Sequence, residues 1–151
     1  MPYYTHTNNG GKLLATRGRI GLQLADGSVL SAYNHWDSYP SWLGRILRTH
    51  YNSKEKVAAL IDGGDMSSPW TTSRWTREGA TEVAEYGPEY YSERGEDCPP
   101  RLDETLADYI TDGEEYAYLF VNGEWQCYDL HAFDYRKSAE IVPIPDGALA
   151  A

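Results

Sequence analysis

Two short turn sequences constrain the fold of this chain more than any other feature. Asp26-Gly27 and Asn122-Gly123 are dipeptides that favour two-residue hairpin turns, because both residues tolerate positive φ. Alternating apolar residues flank each turn, as Ile20 and Leu22 do before the first. Such alternation is typical of strands that bury one face. The sequence therefore predicts two β-hairpins, one in each half of the chain.

A two-residue turn also predicts which residues of the two strands lie opposite each other. In both hairpins the predicted pairs place apolar or aromatic side chains on one face. The pairs are Leu22 with Ser31, Ile20 with Tyr33, Phe120 with Trp125 and Tyr118 with Cys127.

Apolar stripes at helical spacing predict three helices, over 42–51, after Asn52-Ser53 and over 102–110. Gly63-Gly64 should end the second helix. A short last strand is expected over 140–144. This order predicts an α+β fold, with an antiparallel sheet built from two β-hairpins and helices packed on one face.

The length of 151 residues favours a single domain over residues 1–151. Residues 1–16 are polar and Gly-rich and are expected to be mobile, and 65–100 are expected to form an irregular insertion. No apolar run approaches the roughly 20 residues that cross a bilayer, and no secretory signal is recognisable. Cys98 and Cys127 match no metal-site spacing. These features indicate a reduced, cytoplasmic protein with no membrane contact.

The net charge of −10 is distributed very unevenly. Residues 1–77 hold nine Lys/Arg and five Asp/Glu, whereas residues 78–151 hold four and eighteen. Non-specific nucleic-acid binding is excluded, since phosphate contacts dominate that affinity. The acidic, Tyr-rich second half could imitate nucleic acid towards a basic protein partner, or form an ordinary solvated surface. The residues predicted to bind such a partner are Glu85, Glu89, Glu93 and Glu96.

Residues 35–40 form the densest cluster of functional residue types, at the end of a predicted strand. His35 and Asp37 are two apart and would face the same way in a continuing strand, where they could act as a general acid/base pair. One His and one Asp are too few for a metal site. The alternative interpretation is structural, with Trp36 and Tyr39 anchoring the corner and Asp37 capping it.

The same region is predicted to bind a small anionic ligand. Arginines offer fork-like donors to a phosphate, and aromatic rings suit a nucleotide base. The predicted ligand-binding residues are Arg17, Arg19, Tyr33, His35, Trp36, Asp37 and Tyr39. The chain has no Gly-rich phosphate loop, GxSxG elbow or HExxH motif, so no catalytic residue, cofactor or metal is predicted.

Several segments resemble a group of small phage and prophage proteins that carry an HWDGYP-like motif after a first hairpin. The matching segments include Tyr33-Asn34-His35-Trp36-Asp37-Ser38-Tyr39-Pro40, Gly64-Asp65, Arg94-Gly95-Glu96-Asp97 and Gly123-Glu124-Trp125. The resemblance spans about residues 17–130. This chain has Ser38 where Gly is usual, which indicates that its turn needs no positive φ there. The resemblance implies a phage accessory protein made in the bacterial cytoplasm.

These observations favour a non-enzymatic binder that counters a host defence or redirects a host pathway. It would occupy a host protein or sequester a small nucleotide. One alternative is a hydrolase or nucleotide-modifying enzyme that uses His35 and Asp37. Another is a structural or assembly protein, for which a large apolar surface would speak.

Overall fold

The computed structural model describes residues 15–71, 74–75, 82–83, 87–111 and 114–147. The strands among them are β1 (Gly18–Gln23), β2 (Val29–Asn34), β3 (Met66–Thr71), β4 (Arg74–Trp75), β5 (Glu82–Val83), β6 (Gly87–Tyr90), β7 (Arg101–Asp103), β8 (Tyr116–Val121), β9 (Glu124–Asp129) and β10 (Glu140–Val142). The α-helices are α1 (Arg45–His50), α2 (Lys54–Asp62) and α3 (Leu106–Tyr109). A π-helical turn, Pro40–Gly44, precedes α1, and a 3-10 turn, Tyr91–Arg94, follows β6.

The main sheet is mixed, with strand order β10-β9-β8-β1-β2-β3-β6 and with β7 also paired to β2. The α+β class is confirmed, but the predicted purely antiparallel sheet was wrong. The two hairpins join through their first strands, β1 and β8, which run parallel. β2 and β3 are also parallel. Parallel neighbours require a crossover connection, and α1 and α2 lie in the one between β2 and β3.

The first hairpin turns through a three-residue loop instead of the predicted two-residue turn. Gly27 N donates to Leu24 O, and Leu24 N donates to Ser28 O. Gly27 has a φ of +90°, which matches a type I turn followed by a left-handed residue. The Asp26 carboxylate accepts a hydrogen bond from Ser28 N at 3.0 Å, and this bond stabilises the longer loop.

The longer loop shifts the register of this hairpin by one residue, so its predicted pairs were wrong. Leu22 lies opposite Leu30 instead of Ser31, and Ile20 lies opposite Ala32. A one-residue shift exchanges the face of every side chain in the partner strand. The small and apolar residues of β2 consequently join the face that α1 and α2 cover.

The second hairpin has the predicted register, with Phe120 opposite Trp125 and Tyr118 opposite Cys127. Asn122 and Gly123 adopt φ values of 53° and 78°, as a two-residue type I′ turn requires. This turn was therefore predicted correctly from its dipeptide alone.

The helices lie on both faces of the sheet, not on one. Val57, Leu60 and Ile61 of α2 are buried against one face, together with Ile20 of β1. Tyr109 of α3 packs in a second buried cluster on the opposite face. Side chains alternate along a strand, and in β8 both faces are apolar and buried.

The predicted ends of α2 are confirmed, whereas α3 is shorter than expected. The Ser53 hydroxyl caps α2 by accepting from Lys56 N at 3.3 Å. Residues 101–103 form β7 against β2 instead of the first turn of a helix, which leaves Leu102 58% exposed. No helix in the described ranges is long and apolar enough to cross a membrane.

The segment 65–100, predicted as an irregular insertion, contributes β3 and β6 to the main sheet. Its short pair of β4 and β5 forms a separate two-stranded sheet. Of the stretch 1–16 predicted to be mobile, residues 1–14 lie outside the described residues.

Candidate functional site

Residues with functional side chains collect at one end of the main sheet. β1 and β8 begin at this end, and β2 and β9 finish there, as their pairing requires. Arg17 precedes β1, His35 follows β2, Glu115 precedes β8 and His131 follows β9. The two hairpin turns occupy the opposite end. The topology thus brings polar residues from both halves of the chain to one edge of the sheet.

His35 is held at this edge by the backbone of β3. Its N–H donates to Met66 O at 3.1 Å, and the N–H of Trp36 donates to Ser67 O at 3.1 Å. The Trp36 indole packs edge-on against the His35 imidazole, with 4.5 Å between ring centroids. The imidazole is half-buried and its orientation is set by these neighbours.

The Tyr33 hydroxyl lies 2.7 Å from His35 Nδ1. Burial is the main cause that raises the pKa of Tyr33. Burial also lowers the pKa of His35, and the Arg17 and Arg94 guanidinium groups lower it further. Both groups are therefore neutral at pH 7, and a single hydrogen bond whose direction follows the imidazole tautomer joins the phenol to Nδ1. Nε2 is the ring nitrogen that this bond leaves for other contacts.

Asp65 joins three segments of the chain beneath this pair. Its carboxylate accepts from Tyr33 N at 3.0 Å. Its backbone oxygen accepts from Tyr91 N at 3.0 Å, and its N–H donates to Cys98 O at 2.9 Å. Gly64, at a φ of +86°, directs the chain into this position, where a β-carbon would clash with the backbone of Cys98. The 3-10 turn is consequently fixed beside the end of β2.

Tyr91 and Arg94 of that 3-10 turn extend the cluster. The Tyr91 ring lies 6.5 Å from the Tyr33 ring, and the Arg94 guanidinium lies 4.3 Å from the Tyr91 centroid. Arg94 Nε also donates to Glu96 Oε2 at 2.9 Å. The geometry therefore joins residues 33–36 to residues 91–96, which the sequence had placed in two separate predicted sites.

The structure divides the predicted ligand-binding set into surface and buried residues. Arg19 is 7% exposed, and its Nε donates to Ser31 Oγ at 2.9 Å. Asp37 is 5% exposed, and Tyr39 is half-buried at the start of the π-helical turn. The residues that gather at the surface are defined here as the Tyr33–Arg94 surface: Arg17, Tyr33, His35, Trp36, Tyr91 and Arg94.

His35 and Asp37 do not form the arrangement expected of a continuing strand. β2 ends at Asn34, and Asp37 has a φ of +56°, so the chain turns between the two residues. His35 bonds to Tyr33, and no hydrogen bond within the described ranges links it to Asp37. A general acid/base pair requires that bond or a shared substrate within reach.

Ser38 does not adopt a positive φ, as predicted from the absence of Gly at that position, and Asp37 before it has a φ of +56°. The Ser38 hydroxyl accepts from Asn34 Nδ2 at 2.9 Å, and its carbonyl accepts from the Tyr118 hydroxyl at 2.7 Å. A β-carbon on Gly18 would lie 2.8 Å from Ser38 Cβ. The glycine in β1 therefore makes room for the serine in the turn.

The predicted partner-binding glutamates lie around the same 3-10 turn, with the exception of Glu85, which falls outside the described residues. Glu89 is half-buried on β6, and Glu93 and Glu96 are exposed. The Glu93 carboxylate accepts from Tyr90 N at 2.6 Å and stabilises the start of the turn. The carboxylates of Glu93 and Glu96 are thus exposed to solvent and also accept hydrogen bonds from neighbouring residues.

Tyr91, Arg94 and Asp65 are site residues that the predicted ligand set lacked. In the sequence, Asp65 and Arg94 belong to the singled-out segments Gly64-Asp65 and Arg94-Gly95-Glu96-Asp97, whereas Tyr91 belongs to neither. The local sequence does not show that these segments lie close to His35, because their position depends on the pairing of β3 with β2 and of β6 with β3.

The described residues also line cavities away from this surface. One of about 510 Å³ lies between the hairpin turns and the start of α2. One of about 290 Å³ lies beside His131. Neither is lined by a residue of the Tyr33–Arg94 surface. Within the described ranges, no three His, Cys, Asp or Glu side chains are grouped so that they could hold a metal ion.

No protein-family model, curated protein or solved structure matches this chain.

Proposed function

We propose that this chain is a phage accessory protein that acts as a non-enzymatic binder. It counters a host defence or redirects a host pathway by occupying a host protein through the Tyr33–Arg94 surface. The observation that carries this proposal is the contact of Tyr33 with Tyr91, on which Arg94 lies. This contact unites the two regions that were predicted separately to bind a ligand and a partner.

The composition of this surface supports a protein partner. Tyr, Trp and Arg are the residue types that contribute most binding energy at protein interfaces. Here the rings of Tyr33, Tyr91 and Trp36 are half-buried and contact their neighbours at one side. Binding therefore orders few additional side-chain rotamers, which lowers its entropic cost.

The surface also supplies polar groups with fixed direction. The His35 imidazole has Nε2 left for a partner, because Nδ1 is bonded to Tyr33. Arg94 is held by both Tyr91 and Glu96. A partner that offers a carbonyl or carboxylate oxygen would find donors already in place.

Sequestration of a small nucleotide is the second candidate. It is favoured by the position of Arg17 and Arg94, both close enough to His35 to lower its pKa. Two guanidinium groups with adjacent aromatic rings suit a phosphate and a base. A protein partner is the preferred occupant because Tyr, Trp and Arg, which make up most of this surface, contribute most binding energy at protein interfaces.

Catalysis by His35 and Asp37 receives less support from the geometry. His35 uses Nδ1 for Tyr33, and Asp37 is buried. An activity that depended on proton exchange between them would need both side chains to reach one substrate.

The test begins with the tagged protein expressed in its bacterial host, purified gently and measured by native mass spectrometry. A stoichiometric host protein is expected, and its affinity is then measured by calorimetry with both proteins purified. The double variant Tyr91→Ala with Arg94→Ala should weaken binding by about tenfold or more. Lys54→Ala, an exposed residue at the opposite end of the sheet, is the matched control and should leave affinity unchanged.

Equal affinity of the double variant and the wild type would contradict the proposed surface. A bound nucleotide in place of a host protein would instead favour sequestration, and Arg17→Ala should then release it. Circular dichroism and thermal unfolding of each variant show whether the fold is retained.

A further inference from the structure

A second concave surface lies at the same end of the sheet, on the side away from β3. It is the cavity of about 290 Å³ beside His131, between the start of β8, the end of β9 and the segment that follows β9. Its lining residues are Glu115, Tyr116, Asp129, His131, Ala132, Phe133, Asp134 and Lys137.

The acidic groups of this cavity are held by local hydrogen bonds. Asp129 Oδ1 accepts from His131 N at 2.9 Å. Asp134 Oδ1 accepts from Arg136 Nε at 3.0 Å, and hydrogen bonds from Arg136 are the main cause that lowers the pKa of Asp134. With Glu115 the lining carries three carboxylates and, in Lys137, one ammonium group. Arg136 pairs with Asp134, and His131 lies beside both Asp129 and a fourth carboxylate, that of Glu140. The four carboxylates still outnumber Lys137, Arg136 and the imidazole, so the cavity is negatively charged and favours a cation.

An exposed aromatic ring forms part of the cavity wall. Phe133 lines the cavity although 83% of its surface is exposed. Its segment is held by successive turns, in which Asp134 N donates to His131 O and Lys137 N donates to Asp134 O. The ring is thus presented to solvent by an ordered backbone. Phe is among the aromatic residues that are enriched at the cores of protein interfaces.

We propose that this cavity receives an arginine side chain from a partner protein. A guanidinium group stacks on an aromatic face and donates hydrogen bonds from its edge to a carboxylate. Phe133 offers the face, and Glu115 and Asp129 offer carboxylates. The occupant's charge also matches the chain as a whole, since residues 78–151 hold eighteen Asp/Glu against four Lys/Arg.

This inference goes beyond the proposed function by adding a second contact and a partner chemistry. It rests on the proposed function only for the statement that the arginine belongs to the same host protein. Glu115 connects the two surfaces, because its carboxylate accepts from Arg17 N at 3.4 Å. A partner that covers the Tyr33–Arg94 surface can therefore extend a basic segment into the cavity.

The test uses three blocked tripeptides as probes, each with glycine on both sides of arginine, citrulline or lysine. Citrulline has the shape of arginine without its charge. Amide spectra of the isotope-labelled full chain are recorded during each titration. The arginine peptide should produce saturating shifts at residues 115–116 and 129–137, and its affinity should fall about threefold or more when salt rises from about 0.05 M to about 0.5 M.

Variants then assign the binding to the cavity. Phe133→Ala and, separately, Glu115→Gln should each lower the affinity for the arginine peptide by about fivefold or more. Tyr135→Ala is the matched control, because Tyr135 is 95% exposed in the same segment and does not line the cavity. Its affinity should equal that of the wild type.

Four outcomes would overturn the proposal: no saturating shift, equal shifts with citrulline, equal affinity for lysine, or no effect of Phe133→Ala. The Tyr91→Ala with Arg94→Ala variant should bind the arginine peptide as the wild type does. The peptide result therefore stands or fails separately from the host-protein surface.

Discussion

The Tyr33 hydroxyl lies 2.7 Å from Nδ1 of His35, two residues further along the chain. Residues two apart on a strand face the same side, so this bond follows from the strand that leads into the turn. The bond occupies Nδ1 and leaves Nε2 for contact with another molecule. His35 is therefore a neutral imidazole with one ring nitrogen left for a partner, and its pKa is lowered chiefly by burial and further by Arg17 and Arg94.

Replacing Arg94 by Gln should raise the pKa of His35, because the Arg94 guanidinium lowers it. The pKa should remain below 6.5, since burial is the largest cause of the lowering. Titration of the imidazole by NMR measures the change. Arg136→Gln is the control, as Arg136 pairs with Asp134 at 3.0 Å. An unchanged pKa in the Arg94 variant would place that guanidinium away from His35.

The free energy of unfolding should fall as the pH drops below about 6.5. His35 and His50 both have lowered pKa values in the folded protein, chiefly through burial, and His50 stacks on Trp70 at 3.7 Å. As the pH decreases below 6.5, the unfolded chain therefore binds more protons at these histidines than the folded protein does. The free energy of unfolding falls until the pH reaches the lower pKa values of the folded state. Urea unfolding at about pH 7.5 and about pH 5.5 measures this. Replacing both histidines by Asn should reduce the difference, and an equally large difference would contradict it.

Gly18→Ala should destabilise the protein by about 1–3 kcal/mol, because the added β-carbon would meet Ser38 Cβ at 2.8 Å and Tyr116 O at 3.0 Å. Combining it with Ser38→Gly should remove the first clash. The double variant should then be more stable than the sum of the single changes predicts. Urea unfolding of all four proteins completes the cycle, and simple additivity would show that the two positions do not interact.

Tyr109→Phe should cost about 1–2 kcal/mol of stability. The Tyr109 hydroxyl is buried and donates to Tyr118 O at 2.6 Å, and Phe cannot supply that hydrogen bond. Tyr135→Phe is the matched control, since Tyr135 is 95% exposed. Thermal and urea unfolding should separate the two variants, and equal stability would mean that the Tyr109 bond adds nothing to the fold.

The two cysteines should differ in their reaction with iodoacetamide. Burial raises the pKa of Cys127 to about 12, and the side chain is 1% exposed, so little thiolate forms and the reagent has no access. Cys98 is half-buried, and its pKa is raised by burial and nearby carboxylates. Mass spectrometry of the native protein should find slow labelling at Cys98 and none at Cys127 before unfolding. Faster labelling of Cys127 would contradict its burial.

The two hairpins show where local sequence is sufficient to predict structure. Asn122-Gly123 forms a two-residue turn because both residues adopt positive φ, and the register of that hairpin follows from it. Asp26-Gly27 fits equally well at the end of a three-residue loop. The choice there depends on hydrogen bonds of Ser28, and it moves the pairing by one residue. Dipeptide preference alone does not discriminate between these loops.

Non-local contacts explain most of what the sequence did not predict. The Ser53 cap and the hydrogen bond between Tyr33 and His35 join residues that lie two or three apart in the sequence, so local sequence is enough to predict them. The placement of Tyr91 and Arg94 beside His35 instead depends on strand pairing across the sheet, which Asp65 fixes through three hydrogen bonds. The parallel contact of β1 with β8 depends on how the whole chain crosses between the hairpins.

The pairing of β1 with β8 sets the time at which the protein can fold during synthesis. The strands lie at residues 18–23 and 116–121. The first hairpin is therefore synthesised well before β8, the strand that pairs with β1 in the centre of the sheet. At roughly 5–20 residues per second, that delay lasts several seconds. In this interval the apolar face of β1, formed by Ile20 and Leu22, lacks the neighbouring side chains of β8. A chaperone that shields extended apolar segments can bind there before the sheet closes.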